Sequence, residues 1–193
     1  MGPVELELKG VVPDPAATRA ALVYAGATPG FRGMLYDRRF DRGGEFAARD
    51  EVVRLRTYRV ADGSVRSQLG WKGPTTRSPE GYKQREEREL DVRGGDPATF
   101  LAALGMVEVH AIDRYIEMYA LAEGHARLEW YPRMDVLMEV EGGPAAIEAI
   151  IAATGIARSE FTSDALTAFT ARYDLRHPEA PSLIAQAGWL GPR

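Results

Sequence analysis

Apolar and charged positions alternate with a period of two through most of this 193-residue chain. The alternation predicts strands over residues 4–12, 34–41, 51–60, 65–73, 83–92, 108–121, 125–131 and 134–141. The first sets the pattern. In Glu5-Leu6-Glu7-Leu8-Lys9, two carboxylates and an ammonium fall on one face and two leucines on the other, because side chains at i and i+2 share a face of a strand. The third strand sets Arg54 and Arg56 opposite Val53 and Leu55, the fourth Arg66, Gln68 and Lys72 opposite Leu69 and Trp71, and the seventh Arg127 and Glu129 opposite Leu128 and Trp130. Arg85, Glu87 and Glu89 alternate on the fifth, and Glu139 and Glu141 close the set on the last. Asp62-Gly63 reads as a hairpin turn and Gly73-Pro74 through Gly81 as a longer loop, so such neighbours are expected to pair antiparallel.

Helix signals interrupt the strands. Asp14-Pro15 and Asp96-Pro97 are N-cap plus first-turn proline pairs, and Gly26 and Gly105 are the matching stops. A third helix is expected from Pro144 to Gly155 and a fourth over residues 159–174, followed by a tail over 175–193 that contains Trp189 and could pack on the apolar outside or plug one end. Each of the first three helices follows a carboxylate-bearing strand, a weak internal repeat that hints at pseudo-symmetric halves. Eight strands, polar on one face and apolar on the other, can roll into a barrel whose interior holds the polar set while helices cover the outside. The expected fold is therefore α+β, an eight-stranded antiparallel β-barrel with external helices, in one domain over 1–193. Burying such rows costs several kcal/mol per ion unless acids and bases pair or admit water, metal and ligand.

Composition narrows the chemistry. A hydrophobic share of 45% with 27% charged residues is that of an ordinary globular protein. No apolar run reaches membrane-span length and the start lacks a secretory layout, so a cytoplasmic location with no membrane partner is expected. Cysteine is absent and the histidines, His110, His125 and His177, are scattered, so any metal must sit on oxygen. The net charge of -4 argues against broad nucleic-acid binding. Of 24 basic residues only Lys9, Lys72 and Lys83 are lysines, all in or beside the charged strands, where a compact point charge suits a phosphate oxygen. Paired carboxylates with cations beside them point to a site for a hard metal ion together with a polyanion.

These residues resemble a known family. Glu5-x-Glu7-x-Lys9 is similar to the ExExK motif of the CYTH domains, or triphosphate tunnel metalloenzymes. Arg54-Leu55-Arg56 resembles the family's Arg-x-Arg strand, Trp71-Lys72-Gly73-Pro74 its Lys strand and Arg85-x-Glu87-x-Glu89 its Arg-x-Glu-x-Glu strand. Arg114 stands at a basic strand position, Leu128-Glu129 resembles the late acidic strand, and Glu139-Val140-Glu141-Gly142 the closing Glu-x-Glu-Gly. Two positions depart from the pattern: Ile112 stands where the family often has Lys, with His110 or Lys83 as candidates to compensate, and Glu129 stands for the usual Asp.

The resemblance implies an antiparallel tunnel, Mg²⁺ or Mn²⁺ dependence and chemistry on a small-molecule triphosphate. It is strongest to the bacterial branch that contains the class IV adenylate cyclases. It implies Lys9, Arg54, Arg56, Lys72, Arg85 and Arg114 as triphosphate-binding residues and Glu5, Glu7, Glu139 and Glu141 as metal ligands. Glu87, Glu89 or Glu129 would orient or deprotonate the water, and Lys9 joins them as a catalytic candidate. The leading expectation is a metal-dependent hydrolase of inorganic, nucleoside or thiamine triphosphate. One alternative is a class IV adenylate cyclase forming cyclic AMP and pyrophosphate, with Tyr36, Phe40 and Tyr58 available for stacking or packing. Another is a protein that binds polyphosphate or nucleotides without turnover.

Overall fold

A computed structural model describes residues 4–184. Along the chain run β1 (Val4–Val11), α1 (Pro15–Tyr24), β2 (Thr28–Asp41), β3 (Val52–Arg59), β4 (Val65–Lys72), β5 (Thr76–Arg77), β6 (Lys83–Val92), α2 (Pro97–Ala103), β7 (Val107–Leu121), β8 (Gly124–Trp130), β9 (Leu137–Glu141), α3 (Pro144–Thr154), β10 (Phe161–Thr162) and α4 (Leu166–Arg176). The sheet order β1-β9-β8-β7-β2-β3-β4-β6 returns to β1 through a β1–β6 pairing, so eight strands close a ring in which each pair is antiparallel. The two-residue strands β5 and β10 extend it on β6 and β1.

The alternating leucines and valines turn outward to the helices, as expected. Leu8, Leu128 and Val140 bury against Leu22 of α1 and Ile147, Ile150 and Ile151 of α3. Phe40 and Leu55 bury against Leu101 of α2. The proline-led starts hold: Asp14 accepts hydrogen bonds from Ala16 and Ala17 N–H at 3.0 Å, and Asp96 from Ala98 at 3.0 Å and Thr99 at 3.2 Å. Among the described residues, no helix is long and apolar enough to cross a membrane.

Three boundaries move for identifiable reasons. β2 begins at Thr28, six residues before the expected 34, because the breakers Pro29, Gly30 and Gly33 are absorbed within it. A register shift between Pro29 and Arg32 takes up the first two, and a Cβ on Gly33 would stand 2.2 Å from the Arg59 carbonyl oxygen. The last ring strand starts at Leu137 rather than 134, after a turn in which Arg133 has φ 48°. The fourth helix starts at Leu166 rather than 159, because Phe161 and Thr162 instead pair with Gly10 and Lys9 of β1 and Phe161 buries in the core. The part of the tail from 185 on, Trp189 included, lies outside the described residues.

The interior is not charged along its whole length. At the end of the ring where β3 leaves and β4 enters, Leu35, Tyr58 and Ile116 pack together with Phe31 and Met118, and Arg66 lies 4.3 Å over the Tyr58 ring. The charged rows thus begin above an apolar floor. At the other end Asp164, Ala165 and Leu166, leading into α4, line the opening.

Candidate functional site

Register decides which charges meet. Lys9 stands opposite Glu139, Arg127 opposite Glu139, Lys72 opposite Glu87, Glu5 opposite Arg85, Glu7 opposite Lys83 and Asp37 opposite Arg56. Opposite charges across a pair stabilise a sheet and like charges destabilise it. Within the eight-strand ring two registers set like against like: Glu7 opposite Glu141, and Arg39 opposite Arg54. Lys83 meets Glu7 and Arg127 lies 3.5 Å from Glu141, while Glu87 and Glu89 meet Arg54, so each like pair is held by flanking charges and can admit a further counter-ion.

On the wall formed by β1, β9, β8 and β7 the ions satisfy one another. Glu129, fully buried, accepts from Arg114 Nε at 2.8 Å, Arg127 Nε at 3.0 Å, the Tyr131 hydroxyl at 2.7 Å and Lys9 Nζ at 3.4 Å. Lys9 and Arg127 also hold Glu139. Burial alone would raise the Glu129 carboxyl, but Lys9, Arg114 and Arg127 outweigh it and hold the group well below the usual carboxylate range.

Facing it, β3, β4 and β6 carry a looser set. Lys72 reaches Glu5 at 2.9 Å and also pairs with Glu87. Arg54 lies 3.4 Å from Glu87 and 3.2 Å from Glu89, and Arg56 pairs with Glu89. The Nε atoms of Arg54 and Arg56 are buried without hydrogen-bond partners, as is Oδ1 of Asp37. Burial and Arg54 lower the Lys72 ammonium to about 8, whereas Lys72 more than offsets burial at Glu5 and draws its carboxyl down to about 2.

Oxygens of Glu5, Glu7 and Glu141 lie within 4.8 Å of one another. Burial raises the Glu141 carboxyl; Arg127 opposes this, and Glu5 and Glu7 push it further up. Three carboxylates with like charges opposed across the strands are a donor set that fits a hard divalent cation such as Mg²⁺ or Mn²⁺. Glu139 stands outside this cluster, committed to Lys9 and Arg127.

Above the cluster opens a cavity of about 240 Å³ lined by Glu7, Lys9, Arg54, Lys72, Arg85 and Arg114 among others. Five of the six expected phosphate-binding cations are on that wall; Arg56 lies beyond it, beside Gln68 and Tyr58. Arg85 leans to the rim, donating to the carbonyls of Gly73 and Asp50 at 2.5 Å each. Lys83 also lines the cavity but pairs with Glu7. His110 does not line it; it faces a neighbouring hollow. Phe40 belongs to the α2 core, and Tyr58 to the floor.

No family model matches the chain, and no curated protein matches it by sequence. Solved structures do. A Pyrococcus horikoshii protein superposes with a TM-score of 0.67 at 22% identity, covering 84% of this chain and 96% of that one. A candidate adenylate cyclase from Vibrio parahaemolyticus gives 0.69 at 14% identity, over 89% and 99%. A candidate adenylyl cyclase from Hippeastrum with a dominant triphosphatase activity gives 0.60 at 16%, over 86% and 93%. The chain shares the fold of these proteins, an antiparallel sheet closed into a ring with helices outside. Within that fold, Arg39, Asp37 and Tyr131 line the cavity and escaped the sequence reading. The alternation of Asp37 and Arg39 on the expected second strand was the available signal. No pattern in β2 alone reveals that Arg39 meets Arg54.

Proposed function

We propose that the cavity binds a triphosphate with a divalent cation and hydrolyses it. The observation that carries this reading is the pair of like-charge registers in one enclosed ring, Glu7 against Glu141 and Arg39 against Arg54. A divalent cation and a phosphate chain answer both at once. Glu5, Glu7 and Glu141 would hold the metal, with Glu139 at its margin. Bound there, Mg²⁺ or Mn²⁺ would neutralise phosphate charge and favour a nucleophilic water.

The chain's own residues supply the rest. Lys9, Arg54, Lys72, Arg85 and Arg114 grip phosphate oxygens from the cavity wall, with Arg56 supporting from below. Phosphoryl transfer depends on such positioning and charge stabilisation more than on covalent help. Water attacks the terminal phosphorus, the bond to the bridging oxygen breaks, and diphosphate and phosphate leave. Glu87, held against Lys72 and Arg54 of the cavity wall, takes the water proton, and Glu89 holds Arg54 and Arg56 in place. Glu129, with its oxygens engaged, aims Lys9 and Arg114.

The dominant triphosphatase activity of the Hippeastrum protein supports hydrolysis over cyclisation. The test is to incubate the purified protein with inorganic triphosphate or ATP and Mg²⁺ or Mn²⁺, and to resolve phosphate, diphosphate and cyclic AMP. Phosphate release is expected. Cyclic AMP with pyrophosphate, or no product under any metal, would overturn the reading.

A further inference from the structure

Just above the apolar floor, the cavity holds an acid that phosphate gripping leaves unused. Asp37 stands two residues along β2 from the floor residue Leu35, on the same strand face, and lines the cavity. It is 4% exposed. Arg114 Nη1 donates to its Oδ2 at 3.4 Å, and its buried Oδ1 has no hydrogen-bond partner. The β7 residue in register with it is the apolar Ile112, so no cation at that position engages Oδ1.

The charges around Asp37 hold it ionised. Arg54 and Arg56 act on it from β3, Arg114 from β7 and Arg39 from β2 itself. Three of these cations have partners of their own: Glu87 and Glu89 meet Arg54, Glu89 meets Arg56, and Glu129 meets Arg114. Burial raises the Asp37 carboxyl, but Arg114, Arg54, Arg39 and Arg56 outweigh it and lower the group below its ordinary value. An ionised carboxylate only accepts hydrogen bonds. At the closed end of a cavity for anions it therefore repels any oxygen that brings no proton, and burying it without a donor costs free energy. A phosphate chain that enters end-first brings its terminal phosphate to this depth. Interior phosphates carry no proton at neutral pH, whereas a terminal one keeps its last proton up to about pH 6, as a phosphate ester does.

We propose that Asp37 is a specificity-determining residue: its Oδ1 accepts a hydrogen bond from the protonated terminal phosphate and turns away tetrahedral anions that carry no proton. The proposal rests on the triphosphate reading of the cavity. Phosphate released from that end keeps the same contact, so phosphate alone can probe it.

Sulfate has the shape and charge of hydrogenphosphate but no proton to donate. Calorimetric titration of wild type with each anion at about pH 6 should show phosphate binding at least about tenfold tighter, because a site built to meet a donor rejects the analogue that lacks it. In Asp37→Asn, checked by thermal melting, the amide can itself donate, so sulfate should gain and the ratio should fall to within about threefold. Equal binding of the two anions by wild type, binding of neither, or a preference kept in folded Asp37→Asn would overturn the assignment, and the main cavity would stand if inorganic triphosphate still binds. If Asp37→Asn does not fold, the wild-type ratio decides. Failure of triphosphate, phosphate and sulfate alike to bind would bring down both readings.

Discussion

Two parts of the same ionic interior reach opposite conditions. Around Glu129, three cations and a phenol converge on one carboxylate, and Lys9 and Arg127 carry the balance on to Glu139. A few ångströms along the strands, Glu7 faces Glu141, and across the ring Arg39 faces Arg54. Residue types and strand geometry are shared; register differs. Buried charge therefore does not itself mark a ligand site. A satisfied cluster is frame, and like charges held together by the surrounding fold are readiness for a ligand of opposite sign.

The strongest way to break this distinction is to remove one carboxylate from each part. Glu129→Gln leaves Lys9, Arg114 and Arg127 short of their shared partner, and losing one side of a buried ionic cluster costs about 3–5 kcal/mol. Urea unfolding should show that loss. Glu141→Gln instead removes a carboxylate that burial, with Glu5 and Glu7, disfavours against the pull of Arg127, so its unfolding midpoint should stay close to wild type while Mn²⁺ affinity drops at least about tenfold, or about 1.4 kcal/mol. Calorimetric titration reads the affinity. If both variants destabilise alike, or Glu141→Gln binds Mn²⁺ normally, the division into frame and site is wrong.

How much of this the sequence disclosed follows from what alternation encodes. Period two assigns a face, and it placed Glu5, Glu7, Lys9, Arg54, Arg56 and Lys72 inward with Leu8, Leu55 and Leu128 outward. The proline-led helix starts were legible because Asp14 and Asp96 act locally on the next turn. Register is not local. Whether Glu139 meets Lys9 or joins Glu5 and Glu7 depends on how β1 and β9 slide together, so the four carboxylates grouped in sequence separate into three and one. The apolar floor was hidden for a related reason: alternation puts Leu35 on the face of Asp37 and Ile116 on that of Arg114, but only the registers of β2, β3 and β7 bring them together beside Tyr58. β10 was taken into a helix because nothing in Phe161-Thr162 announces pairing with β1.

Acid titration sharpens the comparison at an intermediate scale. The Glu129 carboxyl is held well below its unfolded value, near 4.3–4.5, so its contribution is fully present above that pH and is lost as pH falls toward the folded value. Wild type should therefore lose stability through and below that region by up to about 1.4 kcal/mol per pH unit for this group. In Glu129→Gln that component of the slope should vanish. Equal slopes in the two proteins, from urea midpoints at successive pH values, would show that the carboxylate is not held as the geometry indicates.

The smallest effect compares two buried phenols. The Tyr131 hydroxyl donates to Glu129 at 2.7 Å, whereas that of Tyr58 donates to the neutral Gln68 at 3.3 Å. Burial raises the Tyr131 phenol to about 12, with Arg114 opposing and Glu129 adding to the rise, so it stays protonated as a donor across the working range. Hydrogen bonds to charged partners are worth about 1.5–3 kcal/mol and neutral ones about 0.5–1.5. Tyr131→Phe should thus cost more than Tyr58→Phe in urea unfolding, and most of the excess should disappear when each is measured in the Glu129→Gln background. An excess that survives there would belong to packing around the ring rather than to the carboxylate, and Glu129 would lose its place as the centre of the frame.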